Sequence, residues 1–508
     1  PITLIDLLLG IDIFVWTREL GGTLAGLFAV VLYAFDPNII GHSHYVTTDI
    51  GIAAFLFFAF YFFVRFLKCP SGKNVFLAGI FLGLAQLAKF SAVLLFPIFG
   101  LFILLYALTK RRSGSDTSST LVTKLRALVI YGIRFAGVVA VCFALIWILY
   151  FFNTFQMPGA KLAEVARAVF PDTGLGSFAK QFVIATSDLP LLKPFSEYFL
   201  GVFMVFARVA GGNTYYFLGT VSNHASPWYF PVVFALKETL PFLFLLILTA
   251  GYTLFRAGRL LVRQRFSSLL SVVSDSFQHK PAQYLSAFFV LFYSYISITS
   301  NLNIGFRHLF PILPFLYMLV AKTAFDFLKR HRDDIATHQL LRIGIGGLVL
   351  AIMAIPLLSY PGYLSYFNVI GGGHTNGYRY VTDSNYDWGQ DLKRLRDFVE
   401  LHNRCKNGTA SVDEICPVSL ALPPIEKIRV DYFGGSSPEY YLKEKFIPWH
   451  GENAPAPGWY AVSIGFFQES THKALKPGEH SYRWLTAYNP VIRAGDSIFV
   501  YYVPDIKP

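Results

Sequence analysis

The chain has 508 residues, of which 54% are hydrophobic and only 15% charged, against roughly 25% charged in soluble domains. That balance excludes an ordinary soluble enzyme. The net charge of +12 comes without a basic stripe interleaved with aromatics, so nucleic-acid binding has no support.

Apolar runs recur from the first residues to about position 360, several long enough to cross a hydrocarbon core of roughly 30 Å, which takes about 20 helical residues. Taken in order, ten spans are predicted: Ile2 to Trp16, Thr23 to Ile40, Asp49 to Leu67, Asn74 to Phe90, Ser91 to Thr109, Leu128 to Phe152, Pro231 to Phe255, Tyr284 to Ser300, His308 to Phe327 and Leu341 to Tyr360. The chain opens at Pro1 inside a hydrophobic run, without an initiator Met, which leads to the expectation that an N-terminal piece precedes it.

Basic residues fall in or beside alternate connections: Arg18; Arg65, Lys68 and Lys73; Lys110, Arg111, Arg112, Lys124 and Arg126; Arg256, Arg259, Arg263 and Arg265; Lys329, Arg330 and Arg332. The positive-inside rule makes those connections cytoplasmic. "DPNIIGHSHYVTT", the long segment 153–229, "NLNIGFR" and the C-terminal domain then lie on the opposite face. The basic excess therefore reads as topology and contact with the lipid bilayer. The predicted architecture is an α-helical polytopic membrane domain over 1–360 and a small extracytoplasmic α/β domain over 361–508. Cys405 and Cys416 in the latter are placed for a disulfide or for two free thiols.

Ionisable residues at membrane depth are costly and usually line a cavity or a pathway. Here they gather near the predicted external face: Asp36, His42, His44 and Asp49 around the second outer loop, Lys89 in "LAQLAKFSAV", Lys237 and Glu238 in "FALKETLP", Arg307 and His308 in "NIGFRHLF". Lys89 and Arg307 suit a phosphate. Asp49 suits a proton or a divalent cation, which stays open as a ligand. His42 and His44, two residues apart, would diverge on a helix, which weakens a metal pair. Each has a plainer reading: snorkelling for the cations, helix capping for Asp49, hydrogen-bonded scaffolding for the histidines, and the end of an interfacial helix for Lys237 and Glu238.

Within 153–229, "KLAEVARAVF" and "SEYFLGVFMVFARVA" have amphipathic character and are expected along the membrane surface, with "SPWYF" as an interfacial aromatic belt. Beyond the last span, "TDSNYDWGQDLKRLRDFVELH" predicts a helix capped by Asp383, Ser384 and Asn385 with Trp388, Leu392, Leu395, Phe398 and Val399 on one face. Asp383, Asn385, Asp387 and Trp388 are also suited to a carbohydrate or phosphate headgroup. "KIRVDYF", "GWYAVSIGFF" and "SIFVYYV" read as strands. No Walker loop, dinucleotide fingerprint, HExxH or GxSxG string is present, so nucleotide-driven chemistry has little support.

Several strings together, "RELGGTLAGLFAVVLYAFDPNIIGHSHYVTTDIGIA", "LAGIFLGLAQLAKFSAVLL", "SPWYFPVVFALKETLP", "TSNLNIGFRHLFPILPFLY" and "GYRYVTDSNYDWGQDLKRL", resemble the bacterial polyprenyl-phosphate-dependent glycosyltransferases of glycosyltransferase family 39. These are relatives of protein O-mannosyltransferases and of the enzyme that adds aminoarabinose to lipid A. The resemblance implies a GT-C fold in a bacterial inner membrane and transfer of a sugar from a polyprenyl-phosphate donor to an acceptor hydroxyl at the external face. The acceptor is a protein, lipid or glycan. It further implies a catalytic role for Asp49, with His42 and His44 beside it near the sugar, and substrate contacts for Lys89, Arg307 and His308. The acidic pair such enzymes carry in their first external loop is expected upstream of Pro1. Two readings compete: a flippase of polyprenyl-linked sugars, for which an inverted repeat would speak, and a non-catalytic membrane scaffold.

Overall fold

The computed structural model describes residues 2–109, 121–263, 266–411, 413–416 and 421–504. The basic residues Lys110, Arg111, Arg112 and Arg265 of the charge map lie outside them. The predicted spans fall on helical segments, except that Thr23 to Ile40 is broken at Phe35 and Asp36 into two helices: α1 (Ile2–Gly21), α2 (Thr23–Ala34), α3 (Pro37–His42), α4 (Thr48–Lys68), α5 (Gly72–Ala88), α6 (Leu95–Thr109) and α7 (Leu121–Thr154) come first. The external segment folds as α8 (Gly159–Val169), α9 (Gly174–Ser187), α10 (Lys193–Gly211) and a hairpin of β1 (Tyr215–Phe217) and β2 (Thr220–Ser222). Then follow α11 (Tyr229–Lys237), α12 (Leu240–Arg263), α13 (Phe266–His279), α14 (Pro281–Thr299), α15 (Leu313–Arg330) and α16 (Ile335–Ser359).

Among the described residues seven helices are long and apolar enough to cross a membrane. α2 and α5 are shorter, at 12 and 17 residues, and α1 carries Asp6, Asp12, Arg18 and Glu19. The expected single span from Pro231 to Phe255 is instead two helices. α11 stops at Lys237, Glu238 is extended at its C-cap, and Pro241 takes the first turn of α12, where its missing N–H costs nothing.

The chain divides into two compact units. The first, 1–211, 241–300 and 309–353, is built around α4, whose buried residues lie on every side of the helix. Phe57, Phe60 and Phe63 meet Trp16, Phe99, Phe289 and Phe315 with centroids 3.8–5.3 Å apart, each ring pair worth about 0.5–1.5 kcal/mol beyond its buried area. α7, α12 and α16 keep most of their apolar surface exposed, as lipid-facing helices do. The amphipathic expectation for 153–229 is met by α8, α9 and α10, which bury Leu162, Ala166, Phe170, Val183 and Leu200 against one another.

The second unit is 212–240, 301–308 and 354–508. After α17 (Gly373–Asn376) and α18 (Leu392–Lys406) come β3 (Ile428–Asp431), α19 (Pro438–Leu442), β4 (Phe446–Pro448), β5 (Gly458–Ser463), α20 (Ile464–His472), β6 (Ile492–Ala494) and β7 (Ile498–Val503). The sheet order is β4-β3-β5-β7-β6, with β3 parallel to β4 and β5 and the β5-β7-β6 side antiparallel. Alternation gives it two faces. Ile428, Val430, Trp459, Ala461, Ile498 and Val500 pack on Leu392, Leu395, Phe398 and Val399 of α18, while Arg429, Asp431 and Tyr460 look the other way. The second half of "GWYAVSIGFF" is α20, not strand. The helix expected from Asp383 begins only at Leu392, with Asp391 at its N-cap; the Asp391 carboxylate accepts from Asp496 N and Ser497 N, both at 2.9 Å. Cys405 and Cys416 form a disulfide.

Candidate functional site

In the first unit, Asp36 caps α3 by accepting from Asn38 N at 2.7 Å and is held by Tyr317 Oη at 2.6 Å. This places "GHSHY" at the end of a pinned short helix. His42 is buried, its Nδ1 2.9 Å from Asn38 O and its ring edge-on to Phe310. His44 is exposed and packs on Tyr45 at 4.3 Å. The two imidazoles therefore sit in different surroundings.

Asp49 stands in the first turn of α4, and Thr47, not Asp49, is the N-cap residue. The Asp49 carboxylate instead accepts from Lys89 Nζ at 3.1 Å; its side chain is 1% exposed and that of Lys89 is 25% exposed. Lys89 is extended between α5 and the 3-10 turn at Phe90–Leu94, a break that turns its side chain back toward α4. A nearly buried carboxylate thus faces an ammonium with one open side. Since the partner is itself a cation rather than a second carboxylate, the residues present do not fit a divalent ion. An apolar groove in the same unit is lined by Phe143, Phe182, Thr186, Leu192, Phe195 and Phe199.

In the second unit, the "NIGFRH" and "TDSNYDW" strings are brought together. Asn385 is buried and spends its amide on the scaffold: Oδ1 accepts from Phe306 N at 2.8 Å, and Nδ2 donates to Tyr229 Oη at 3.0 Å and Thr382 O at 2.9 Å. Ser384 Oγ donates to Ile304 O at 3.0 Å. Asp383 sits at φ 58°, in the left-handed region. Lys237, fully buried, donates to Leu364 O and Asn385 O at 2.8 Å each and lies over the Phe367 ring.

This clamp presents Arg307, whose guanidinium lies 4.6 Å over the Trp388 ring, an attractive cation–π arrangement. His308 stacks on Phe230. Asp387 is buried, and its Oδ1 accepts from Gly389 N at 2.7 Å. Its Oδ2 and Trp388 Nε1 meet no hydrogen-bond partner among the described residues. Burial pushes the Asp387 carboxyl up to about 7, opposed by the Gly389 N–H, reinforced by the Asp391 charge, and opposed again by the nearby Ser463 and Ser497 hydroxyls.

Residues 1–147 match the family model described as dolichyl-phosphate-mannose-protein mannosyltransferase. The N-terminal spans, with both Asp49 and Lys89 among them, are thus similar to a family of membrane glycosyltransferases, in keeping with the sequence strings. A crystal structure of ArnT from Cupriavidus metallidurans in the apo state aligns with 98% of this chain and 82% of that one, at 12% identity and a TM-score of 0.23. No curated protein matches.

Proposed function

We propose that the protein transfers a glycosyl group from a polyprenyl-phosphate-linked donor to an acceptor hydroxyl at the extracytoplasmic face of a bacterial inner membrane, as a GT-C-type enzyme. The observation that carries this reading is the Asp49–Lys89 pair: a carboxylate 1% exposed and an ammonium 25% exposed, 3.1 Å apart at the head of α4, inside the family-matched segment.

Asp49 is assigned as the carboxylate that takes the acceptor proton, and Lys89 as the group that meets the donor phosphate. A phosphate drawing on the ammonium would loosen its hold on Asp49 and raise the basicity of the carboxylate. The phenylalanine-lined groove suits the prenyl chain. Arg307, Asp387 and Trp388 are assigned to bind oxygen-rich portions of substrate on the second unit. Exposed His44 contacts substrate, while His42, His308, Asp383 and Asn385 hold their neighbours in place.

The test is transfer of radiolabelled sugar from polyprenyl-phosphate-sugar in proteoliposomes. Asp49→Asn should lower transfer about 100-fold or more, and Arg307→Ala should lower it with a smaller effect on folding than on rate. If the wild-type chain consumes no donor while labelled lipid still crosses the bilayer, the protein is a flippase and the reading fails.

A further inference from the structure

The face of the C-terminal sheet opposite α18 carries a group of side chains that the transfer reaction does not use. Arg429 and Asp431 are two apart on β3 and so share that face, and Tyr460 lies opposite Arg429 in the β3–β5 register. Tyr460 is buried, its hydroxyl donating to Ala456 O at 2.6 Å. It is the hub on which two indoles rest edge-on, Trp449 at 5.7 Å and Trp484 at 5.3 Å, and Trp484 in turn meets Tyr488 at 6.1 Å. Trp449, Trp484 and Tyr488 all remain part-exposed.

Polar donors flank these rings. The Arg429 guanidinium lies over both Trp449 and Tyr460, at 5.0 and 5.2 Å, and donates to Pro457 O at 2.9 Å. That bond uses one of five N–H groups. His450 projects with 76% of its side chain exposed, yet its Nδ1 is 3.3 Å from Asp431 Oδ1 on a carboxylate only 7% exposed. The second Asp431 oxygen is held by Tyr482 Oη at 2.8 Å, and the His450 backbone is fixed by Asn453 Oδ1 at 2.9 Å. An exposed imidazole anchored through one nitrogen offers the other to a ligand.

We propose that this patch is a saccharide-binding surface, the Trp449 and Trp484 rings taking the C–H faces of pyranoses while Arg429 and His450 bond their hydroxyl oxygens. Rings alone would suit any apolar partner. Rings bordered by a stacked guanidinium and a carboxylate-anchored imidazole suit a ligand that is flat and apolar on its faces and oxygen-rich at its edge, as a pyranose is. The inference stands apart from the transfer reaction, because binding is read without any donor present.

The test is saturation-transfer NMR with the full chain in lipid nanodiscs, using maltohexaose, mannohexaose and N-acetylchitohexaose as probes. At least one should show transfer to its ring protons. Trp484→Ala and Trp449→Ala should each weaken that binding by about tenfold or more. His450→Ala, which removes an exposed side chain and leaves the stack intact, should weaken it severalfold with an unchanged unfolding midpoint. Tyr440→Ala, in exposed α19 packed beside α18, should leave it unchanged. Absence of transfer from all three probes overturns the proposal, as does binding indifferent to His450 and both tryptophans. Quenching of Trp449 and Trp484 fluorescence by nitroxide-labelled lipid would also overturn it, by showing the rings to be a membrane belt.

Discussion

Asp49 and Asp387 are both buried carboxyls, and they are handled in opposite ways. Asp49 receives a Lys89 ammonium from 40 residues away, so its charge is met by a partner that a ligand can draw off. Asp387 has a backbone N–H on one oxygen and no hydrogen bond of ordinary geometry on the other among the described residues, and its carboxyl rises from 3.8 to about 7 although the Ser463 and Ser497 hydroxyls oppose the rise. The folded state then binds the Asp387 proton more tightly than the unfolded chain does. Its contribution to stability is fully present below about pH 4, is lost as pH rises through 7, and is constant above that. Asp387→Asn should therefore unfold at a higher temperature than wild type at pH 8 and gain little at pH 4, measured by thermal denaturation in nanodiscs. An equal gain at both pH values would show that Asp387 does not titrate in this window.

The loop 301–308 and the turn 383–385 act as one element because a glycine lets them touch. Gly305 has φ +99°, and a Cβ there would collide with Ser384 Oγ. Gly305→Ala meets both left-handed strain and overpacking, and is expected to destabilise by about 2–4 kcal/mol and to abolish the Arg307–Trp388 stacking. Loss of that stacking is checked by Trp388 fluorescence in a variant lacking the other tryptophans; an unchanged spectrum and unfolding midpoint would refute the requirement. Such tertiary reasons mark the limit of sequence reading. The spans were legible because hydrocarbon permits only helices there, and the α18 face was legible from the spacing of Leu392, Leu395, Phe398 and Val399. Its start was misplaced by six to eight residues, from Asp383–Asn385 to the N-cap at Asp391, because Asp383 and Asn385 have the chemistry of caps and are spent on other contacts. The break at Glu238 was legible in the adjacent Lys237 and Glu238, whose plainer reading as the end of a helix holds at the α11 C-cap, although the span drawn from Pro231 to Phe255 ran across it. The Asp49–Lys89 pairing had a signal, two ionisable residues each set in a hydrophobic stretch, but the distance between them did not. The His450–Asp431–Tyr482 group had none, its members being brought together by the β3–β4 register and a 3-10 turn.

For the whole chain the informative question is sidedness, and the native cysteines can answer it without any introduced residue. Cys69 is exposed, in the connection between α4 and α5 flanked by Lys68 and Lys73, which the charge rule places in the cytoplasm. Cys405 and Cys416 are joined, a bond that persists in oxidising compartments and rarely in the cytosol, so it supports the proposed extracytoplasmic side for the C-terminal domain. Cys142 is buried in α7. A membrane-impermeant maleimide should therefore leave intact cells unlabelled at Cys69 and label it once the membrane is permeabilised. Cys405 and Cys416 should take label in intact spheroplasts only after reduction. Labelling of Cys69 from outside would invert the topology, placing the head of α4, with Asp49 and Lys89, on the cytoplasmic face. In that orientation a donor presented on the external leaflet would not reach Lys89, so the sidedness measurement bears on the transfer reaction as directly as on the fold.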